Sequence, residues 1–209
     1  MEAYRTIYSE ASVELIIRKS RFIGQCIPVS NESSAKEALE SIKKKYWNAS
    51  HNPFAYSLRQ PVKTARYSDD GEPAGTAGLP ILKVINNREL FDLIVVVTRY
   101  FGGVLLGAGG LVRAYALAAG AALDEAGLVE MKPCERLKAK MSYSEYAALE
   151  ALIRTEAALI NAEFGEGVSV EVSIPKEKSD AFIELLLERT DGRVKALPIS
   201  DCLGAFRLN

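Results

Sequence analysis

The sequence predicts an α+β protein with two domains, and three observations support this prediction. A β-branched run at 93–98 leads through a glycine-rich segment into an Ala-rich helical segment. Residues 131–134 have the character of a short linker, after which the secondary-structure pattern restarts. The region 135–209 then follows the order strand, helix, strand, strand, helix, strand. We therefore divide the 209 residues into domains 1–133 and 134–209.

In the first domain, four segments have the apolar or alternating composition of strands: 13–17, 22–28, 54–59 and 93–98. A helix is predicted from residue 33 to about 46, because lysines fill its last turn, where cations favour the helix dipole. Residues 66–80 contain three glycines and two prolines and predict a long loop. A second helix is predicted over 109–126, with alanines that permit close packing against a sheet and Gly127 as C-cap.

In the second domain, four segments predict strands: residues 137–141, 162–164, 168–174 and a last one within 194–208. Ser142 and Glu145 form a capping box for the first helix, whose apolar stripe continues to Ile160. Ser179 suits the N-cap of the second helix, which ends at Gly192. We expect two helices on one face of an antiparallel sheet, which is a ferredoxin-like βαββαβ domain.

A cluster of glycines between Arg99 and Arg113 is the most informative motif. It contains Gly102, Gly103, Gly107, Gly109 and Gly110. Glycines permit positive φ angles and close approach of the main chain, and a helix that begins there presents N–H groups that favour an anion. Ala108 stands where a P-loop needs lysine, and Val112 where a dinucleotide fingerprint needs its third glycine. Two interpretations stay open: a tight turn with close helix packing, or an anion site with both arginines.

The loop before this motif carries a group of polar residues: Ser68, Asp69, Asp70, Glu72 and Thr76. The carboxylates could pair with Arg99 or Arg113, or accept N–H bonds from glycines. A cation site and acid–base catalysis are alternatives, but the full calcium-loop pattern is absent. The two hydroxyl groups could contact phosphate, although a loop hydroxyl usually stabilises a turn.

His51 is the one histidine, and it precedes Asn52-Pro53. It could shape a turn, contact a ligand, or carry protons together with Asp70. A zinc site needs further strong ligands, and the three cysteines are far apart in the sequence. We therefore expect no metal and no cofactor.

Composition indicates a protein of the cytoplasm. The chain is 48% hydrophobic and 25% charged, with a net charge of −1. No apolar run approaches the roughly 20 residues that span a bilayer, and the N-terminus lacks the pattern of a signal peptide. The near-zero net charge excludes a global basic field, so a nucleic-acid surface would have to be a local patch.

The glycine and acidic motifs together resemble the IMPACT family, in its bacterial YigZ-type two-domain form. The resemblance is carried by residues 68–80 and 97–115, with Ser20 to Gly24 and His51 also matching. Relatives commonly have His-x-Cys where this chain has His51-Asn-Pro53. A thiol nucleophile at position 53 is therefore excluded.

The resemblance implies a first domain like domain IV of elongation factor G, a ribosomal-protein-like βαβ fold with a left-handed crossover. It implies a second domain like domain V of the same factor. Eukaryotic relatives regulate translation through a protein partner. We therefore expect a non-enzymatic, translation-associated protein whose Gly-rich turn, Arg99 and Arg113 bind RNA phosphate or the ribosome. The alternatives are an enzyme on a small phosphorylated or peptide substrate that uses His51 or Asp70, and a protein-interaction module with an exposed apolar patch.

Overall fold

Residues 2–208 are described by the computed structural model, and they divide into two units. The first unit contains Tyr4–Glu130 together with 207–208, and the second contains Met131–Phe206 together with 2–3. Within the described residues, no helix is both long enough and apolar enough to cross a membrane.

The first unit is built from six strands and three helices. The strands are β1 (Tyr4–Ile7), β2 (Ala11–Ile17), β3 (Ser20–Pro28), β4 (Phe54–Leu58), β5 (Thr64–Ser68) and β6 (Leu93–Tyr100). The helices are α1 (Glu32–Lys45), α2 (Gly78–Asn87) and α3 (Ala108–Ala126). Five strands form one sheet in the order β2-β3-β6-β4-β5. Because β3 and β4 are both antiparallel to β6, they run parallel to each other, and α1 connects them.

Strand β6 is the centre of this sheet and is buried on both faces. Val95 and Val97 enter a core formed with α2 and α3, whereas Ile94 and Val96 enter a second core formed with α1. Successive side chains of a strand point to opposite faces, so the three helices cover the sheet on two sides. The apolar run that the sequence shows at 93–98 follows from this double coverage.

Helix α3 lies unusually close to β3. A Cβ built at Gly24 would lie 2.3 Å from the Ala118 carbonyl oxygen and 3.3 Å from the Ala122 Cβ. Glycine on the strand and alanines on the helix are therefore required at this contact. The prediction that the alanines permit close packing is confirmed, and Gly127, at φ +69°, is the C-cap of α3.

The second unit follows the predicted order of elements. They are β7 (Leu128–Met141), α4 (Tyr143–Glu156), β8 (Ala158–Phe164), β9 (Val168–Pro175), a 3₁₀ turn at Lys176–Lys178, α5 (Ser179–Arg189) and β10 (Ala196–Arg207). Strand β7 pairs with β9 and β10, and β9 pairs with β8. Alternate residues of β7 and β9 share one core with the buried residues of α4 and α5. Both helices therefore cover the same face of this sheet.

Several local predictions differ from the structure. Residues 131–134 are not a linker but part of β7, and Ile160 belongs to β8 rather than to the preceding helix. The predicted loop at 66–80 is shorter, because β5 extends to Ser68 and α2 begins at Gly78. Proline is compatible with the first turn of a helix, so Pro80 does not prevent α2. Strands β1 and β5 and helix α2 were not predicted.

Two predicted N-caps have different outcomes. Ser142 and Glu145 form the expected capping box at the start of α4. Ser179, by contrast, is the first residue of α5, and Lys178 occupies the N-cap position without a side-chain cap. The Ser179 hydroxyl instead donates to the Glu135 carboxylate of β7.

Candidate functional site

The glycine-rich junction connects the end of β6 to the start of α3. A Cβ at Gly102 would lie 1.9 Å from the Lys19 carbonyl oxygen, so only glycine fits against the β2–β3 turn. Gly103 and Gly107 have φ angles of +80° and +72°, which other residues rarely adopt, and a Cβ at either would meet no other atom. These two glycines are therefore required by the turn and not by crowding.

The N-terminus of α3 is open to solvent. Gly107 is the N-cap residue without a side-chain cap, and the first turn contains no acidic residue. Gly107, Ala108 and Gly109 are exposed. The guanidinium of Arg113 lies beside this turn, because a Cβ at Gly109 would be 3.9 Å from Arg113 Nη1. The first amides of α3 thus present partial positive charge next to a cation.

Two further cations lie at the neighbouring β2–β3 turn. Arg18 and Lys19 form its tip with φ angles of +44° and +66°. Arg18 and Arg113 line one cavity of about 230 Å³, whose walls include the apolar side chains of Ile17, Leu106 and Leu117. Within residues 2–208, neither Arg18, Lys19 nor Arg113 forms a salt bridge.

Arg99 is placed differently, beneath the surface, where its side chain is 7% exposed. Its Nη1 donates to Glu72 Oε1 at 2.6 Å, and its Nη2 lies 3.5 Å from Ser20 Oγ. The hydroxyl of Tyr115 donates to the same Glu72 oxygen at 2.6 Å. The alternative in which an acidic-loop carboxylate pairs with an arginine therefore describes Arg99 and Glu72.

This buried cluster supports the turn above it. Ser20 Oγ also accepts the Gly102 N–H at 3.2 Å, which links the cluster to the junction. Burial raises the pKa of Tyr115, and the Glu72 carboxylate raises it further, so the phenol stays protonated and keeps donating. Arg99 is a positioning residue in this arrangement, and its charge is already compensated.

Asp69 holds the acidic loop to the start of α2. Its two carboxylate oxygens accept the N–H groups of Gly75 at 2.8 Å, Ala77 at 3.0 Å and Gly78 at 2.8 Å. The N-cap residue of α2 is Ala77, which cannot cap with its own side chain. Asp69 therefore performs the capping from outside the helix, as expected for carboxylates that accept N–H bonds from glycines.

The carboxylate of Asp70 has two partners. It accepts the Asn52 N–H at 2.7 Å and pairs with Lys43 Nζ at 3.0 Å. Burial by itself raises the pKa of Asp70, but the hydrogen bond from Asn52 and the lysine charge outweigh it, so the pKa is lowered overall. A general base at neutral pH works best with a raised pKa, and Asp70 is shifted the other way.

His51 lies against the same loop. Its Nδ1 is 2.8 Å from the Asp70 carbonyl oxygen, and because a carbonyl only accepts, Nδ1 carries the proton. The main chain of His51 bridges that of Arg99, and the Thr98 hydroxyl donates to the Asn52 side chain. His51 thus joins the acidic loop to the end of β6.

The two loop hydroxyl groups stabilise turns. Ser68 Oγ accepts the Asp70 N–H at 3.2 Å, and the Thr76 hydroxyl donates to the Pro73 carbonyl at 2.6 Å. The predicted residues therefore separate into two groups, an exposed junction with Arg113 and a buried or tied group with Arg99, His51 and the acidic loop. Sequence reasoning missed the roles of Ser20, Tyr115 and the Arg18-Lys19 tip, although two adjacent basic residues between strand patterns are a visible signal.

Comparison with known proteins identifies both regions of the chain. A family model for the Impact N-terminal domain matches residues 18–123. A second model, for a domain of unknown function named DUF1949, matches residues 140–193. The first match covers the junction, the acidic loop and the buried cluster.

Relatives match over nearly the whole chain. The IMPACT family member YvyE of Bacillus subtilis is 38% identical over 194 residues, which are 92% of this chain and 89% of that protein. The IMPACT family member YigZ of Escherichia coli is 31% identical over 204 residues, 96% of this chain and 100% of that protein. A crystal structure described as that of a hypothetical protein is 31% identical, with a TM-score of 0.60 over 96% of this chain and 98% of that one. The chain belongs to the IMPACT family, in the bacterial YigZ-type form.

Proposed function

We propose that this chain is a translation-associated protein that binds RNA phosphate through the exposed junction of its first unit. The observation that carries the proposal is the open N-terminus of α3 beside three cations, Arg18, Lys19 and Arg113, that have no salt-bridge partner in the described part of the chain. Free N–H groups at a helix start and unpaired basic side chains are the groups that bind phosphate oxygens.

The proposal changes the role that the sequence assigns to Arg99. Because Glu72 already compensates its charge beneath the surface, we give Arg99 the task of holding the turn in place. Arg18 and Lys19 at the β2–β3 tip take the place of Arg99 in the proposed phosphate contact, beside Arg113. In this proposal His51 and Asp70 hold the acidic loop in shape and have no catalytic role.

We infer that this RNA is ribosomal RNA, bound within the ribosome. Supporting it is the parallel β3–α1–β4 unit in the first domain, which we assign to the fold of elongation factor G domain IV with its left-handed crossover. We further assign the second domain to the ferredoxin-like class of domain V. This assignment is supported by the pairing of β7 with β9 and β10 and of β9 with β8, with both helices on one face.

The test is binding of a labelled single-stranded oligoribonucleotide, measured by fluorescence anisotropy at several salt concentrations. For single strands, the logarithm of the binding constant falls with that of the salt concentration by about 0.7 per phosphate contact. The double variant Arg18→Ala/Arg113→Ala should bind more weakly, with a slope shallower by about 1.4, the loss of two contacts.

The matched control is Arg189→Ala, because Arg189 is also exposed but lies on α5 in the second unit. This control should bind as the wild type does. Absence of RNA binding by the wild type, or an unchanged slope in the double variant, would contradict the proposal.

A second candidate function, a protein-interaction surface, is favoured by apolar residues on the same turn. Phe101 is 49% exposed and Leu105 is 82% exposed. Apolar contacts are not screened by salt, so this alternative predicts ribosome co-sedimentation that persists at high salt and is lost in Leu105→Ser. Co-sedimentation that disappears at high salt supports phosphate binding instead.

A further inference from the structure

A second cavity of the first unit lies between the β2–β3 pair and the end of α1. Its volume is about 220 Å³, and its lining includes Glu10, Ser12, Gln25, Ser41, Ile42 and Lys45. Pockets that bind drug-sized ligands have volumes of roughly 300–1,000 Å³, so this cavity suits a smaller molecule. It shares no lining residue with the cavity beside Arg113.

The most informative group in this cavity is Gln25. It is 6% exposed, and its Nε2 has no hydrogen-bond partner among the residues that the structure describes. A buried polar group without a partner costs about 1–3 kcal/mol, and such groups in native proteins call for an explanation. Gln25 pairs in register with Ser12 of β2 and Val96 of β6.

The rim of the cavity carries one charge of each sign. Glu10 and Lys45 are both exposed, and within residues 2–208 neither belongs to a salt bridge. The nearest described interaction of Lys45 is with the ring of Tyr46, 5.2 Å from its centroid. Hydroxyl groups of Ser12 and Ser41 complete a lining that offers acceptors, donors and both charges.

We propose that this cavity binds a small zwitterion, a molecule that carries an ammonium and a carboxylate group a few bonds apart. The ammonium group pairs with Glu10, and the carboxylate pairs with Lys45. Because Gln25 Nε2 is buried beneath the cavity wall, the side-chain amide turns by half a rotation to donate its N–H to the same carboxylate. Ile42 provides the apolar wall for the carbon atoms between the charged groups. This site is independent of RNA binding at the junction.

The experiment follows the side-chain amide signals of Gln25 by NMR on the full-length ¹⁵N-labelled chain. The probes are glycine and 4-aminobutanoate, which differ in the distance between their charges, with acetate and methylammonium as singly charged references. We expect at least one zwitterion to shift the Gln25 signals saturably at millimolar concentration, and to do so about tenfold more tightly than either reference. One charged hydrogen bond is worth that factor.

Three variants keep the test decisive. Lys45→Met should weaken the zwitterion about tenfold, whereas Lys44→Met, a neighbouring exposed lysine outside the cavity, should leave binding unchanged. Gln25→Leu, followed by the backbone amide signals of the lining residues Ser12 and Ile42, should abolish binding and raise the midpoint of thermal unfolding, because it removes an unpartnered buried donor. No saturable shift with either zwitterion, or equal shifts with acetate alone, would overturn the proposal.

Discussion

At the scale of single residues, the Glu72–Arg99 pair is the contact on which the junction depends most. Both side chains are almost fully buried, at 3% and 7% exposure. Removing one member of such a pair leaves an uncompensated charge in a low-dielectric environment. The pair is therefore expected to matter for stability, whereas the exposed arginines are those that we propose for phosphate binding.

We predict that Glu72→Gln lowers the free energy of unfolding by about 3–5 kcal/mol, because Arg99 then lacks a carboxylate. Chemical denaturation of the purified variant measures this change. Glu89→Gln is the control, because Glu89 pairs with Arg5 at the surface and should cost under about 1 kcal/mol. A loss for Glu72→Gln as small as that of the control would contradict the positioning role.

Asp70 makes the stability of the first unit depend on pH in the acidic range. Its pKa is below the ordinary value of 3.8 in the folded chain, so the unfolded chain binds a proton more readily. The stabilisation is complete above pH 3.8 and is lost as the pH falls through the lowered pKa.

We predict that the stability difference between the wild type and Asp70→Asn shrinks as the pH falls through this range, since protonation removes the same interactions as the substitution. Urea unfolding at a series of acidic pH values measures it, with Asp191→Asn, an exposed position, as control. A difference that stays constant down to acid unfolding would show that the carboxylate charge of Asp70 is not what stabilises the loop.

At the scale of elements, the first turn of α3 contains residues of low helix propensity and is exposed to solvent. Glycine in a helix costs up to about 1 kcal/mol relative to alanine. Gly109 meets no atom closer than Arg113 Nη1 at 3.9 Å, so packing does not require glycine there. Glycine at this position keeps the first amides of the helix accessible.

We predict that Gly109→Ala raises stability by up to about 1 kcal/mol and weakens RNA binding, because the new methyl group covers the amides. Gly120→Ala, in the middle of the same helix, is the matched control: its Cβ would make only an ordinary 3.6 Å contact with Arg88. It should be stabilising without weakening RNA binding. Equal RNA affinities for the two variants would contradict phosphate binding at the helix start.

Elements with strong local signals were predictable from the sequence, and those that depend on distant partners were not. The lysine-rich end of α1 and the capping box of α4 are local features, and both lie as predicted within a residue or two. Helix α2 begins with Gly78 and is capped by Asp69, nine residues earlier. Because the cap is not adjacent to the helix in the sequence, no local pattern predicts where α2 starts. The continuous β7 through Pro133 likewise depends on pairing with strands far along the chain.

The candidate site shows the same limit. Analysis of the sequence placed the glycines, both arginines and the acidic loop in one site. It gave Arg99 and Arg113 the same role in binding an anion. Their difference arises because Glu72 of the acidic loop meets Arg99 of β6 only in the folded chain, whereas Arg113 lies on the exposed face of α3. Burial of a charge is a tertiary property, and no spacing along the chain encodes it.

At the scale of the whole molecule, the first unit combines a basic, exposed junction with a net charge for the chain of −1. The proposed binding of RNA phosphate must therefore be local, and it should be strongly sensitive to salt without a general affinity for nucleic acid. The central claim is that the first amides of α3 are where phosphate binds.

Titration of the ¹⁵N-labelled full-length chain with a single-stranded oligoribonucleotide, followed by NMR of the backbone amides, tests that claim most directly. We predict the largest shifts at Ala108, Gly109 and Gly110 and at the Arg18-Lys19 tip, with the start of α5 unaffected. Saturable shifts confined to other parts of the chain, or none at all, would contradict it.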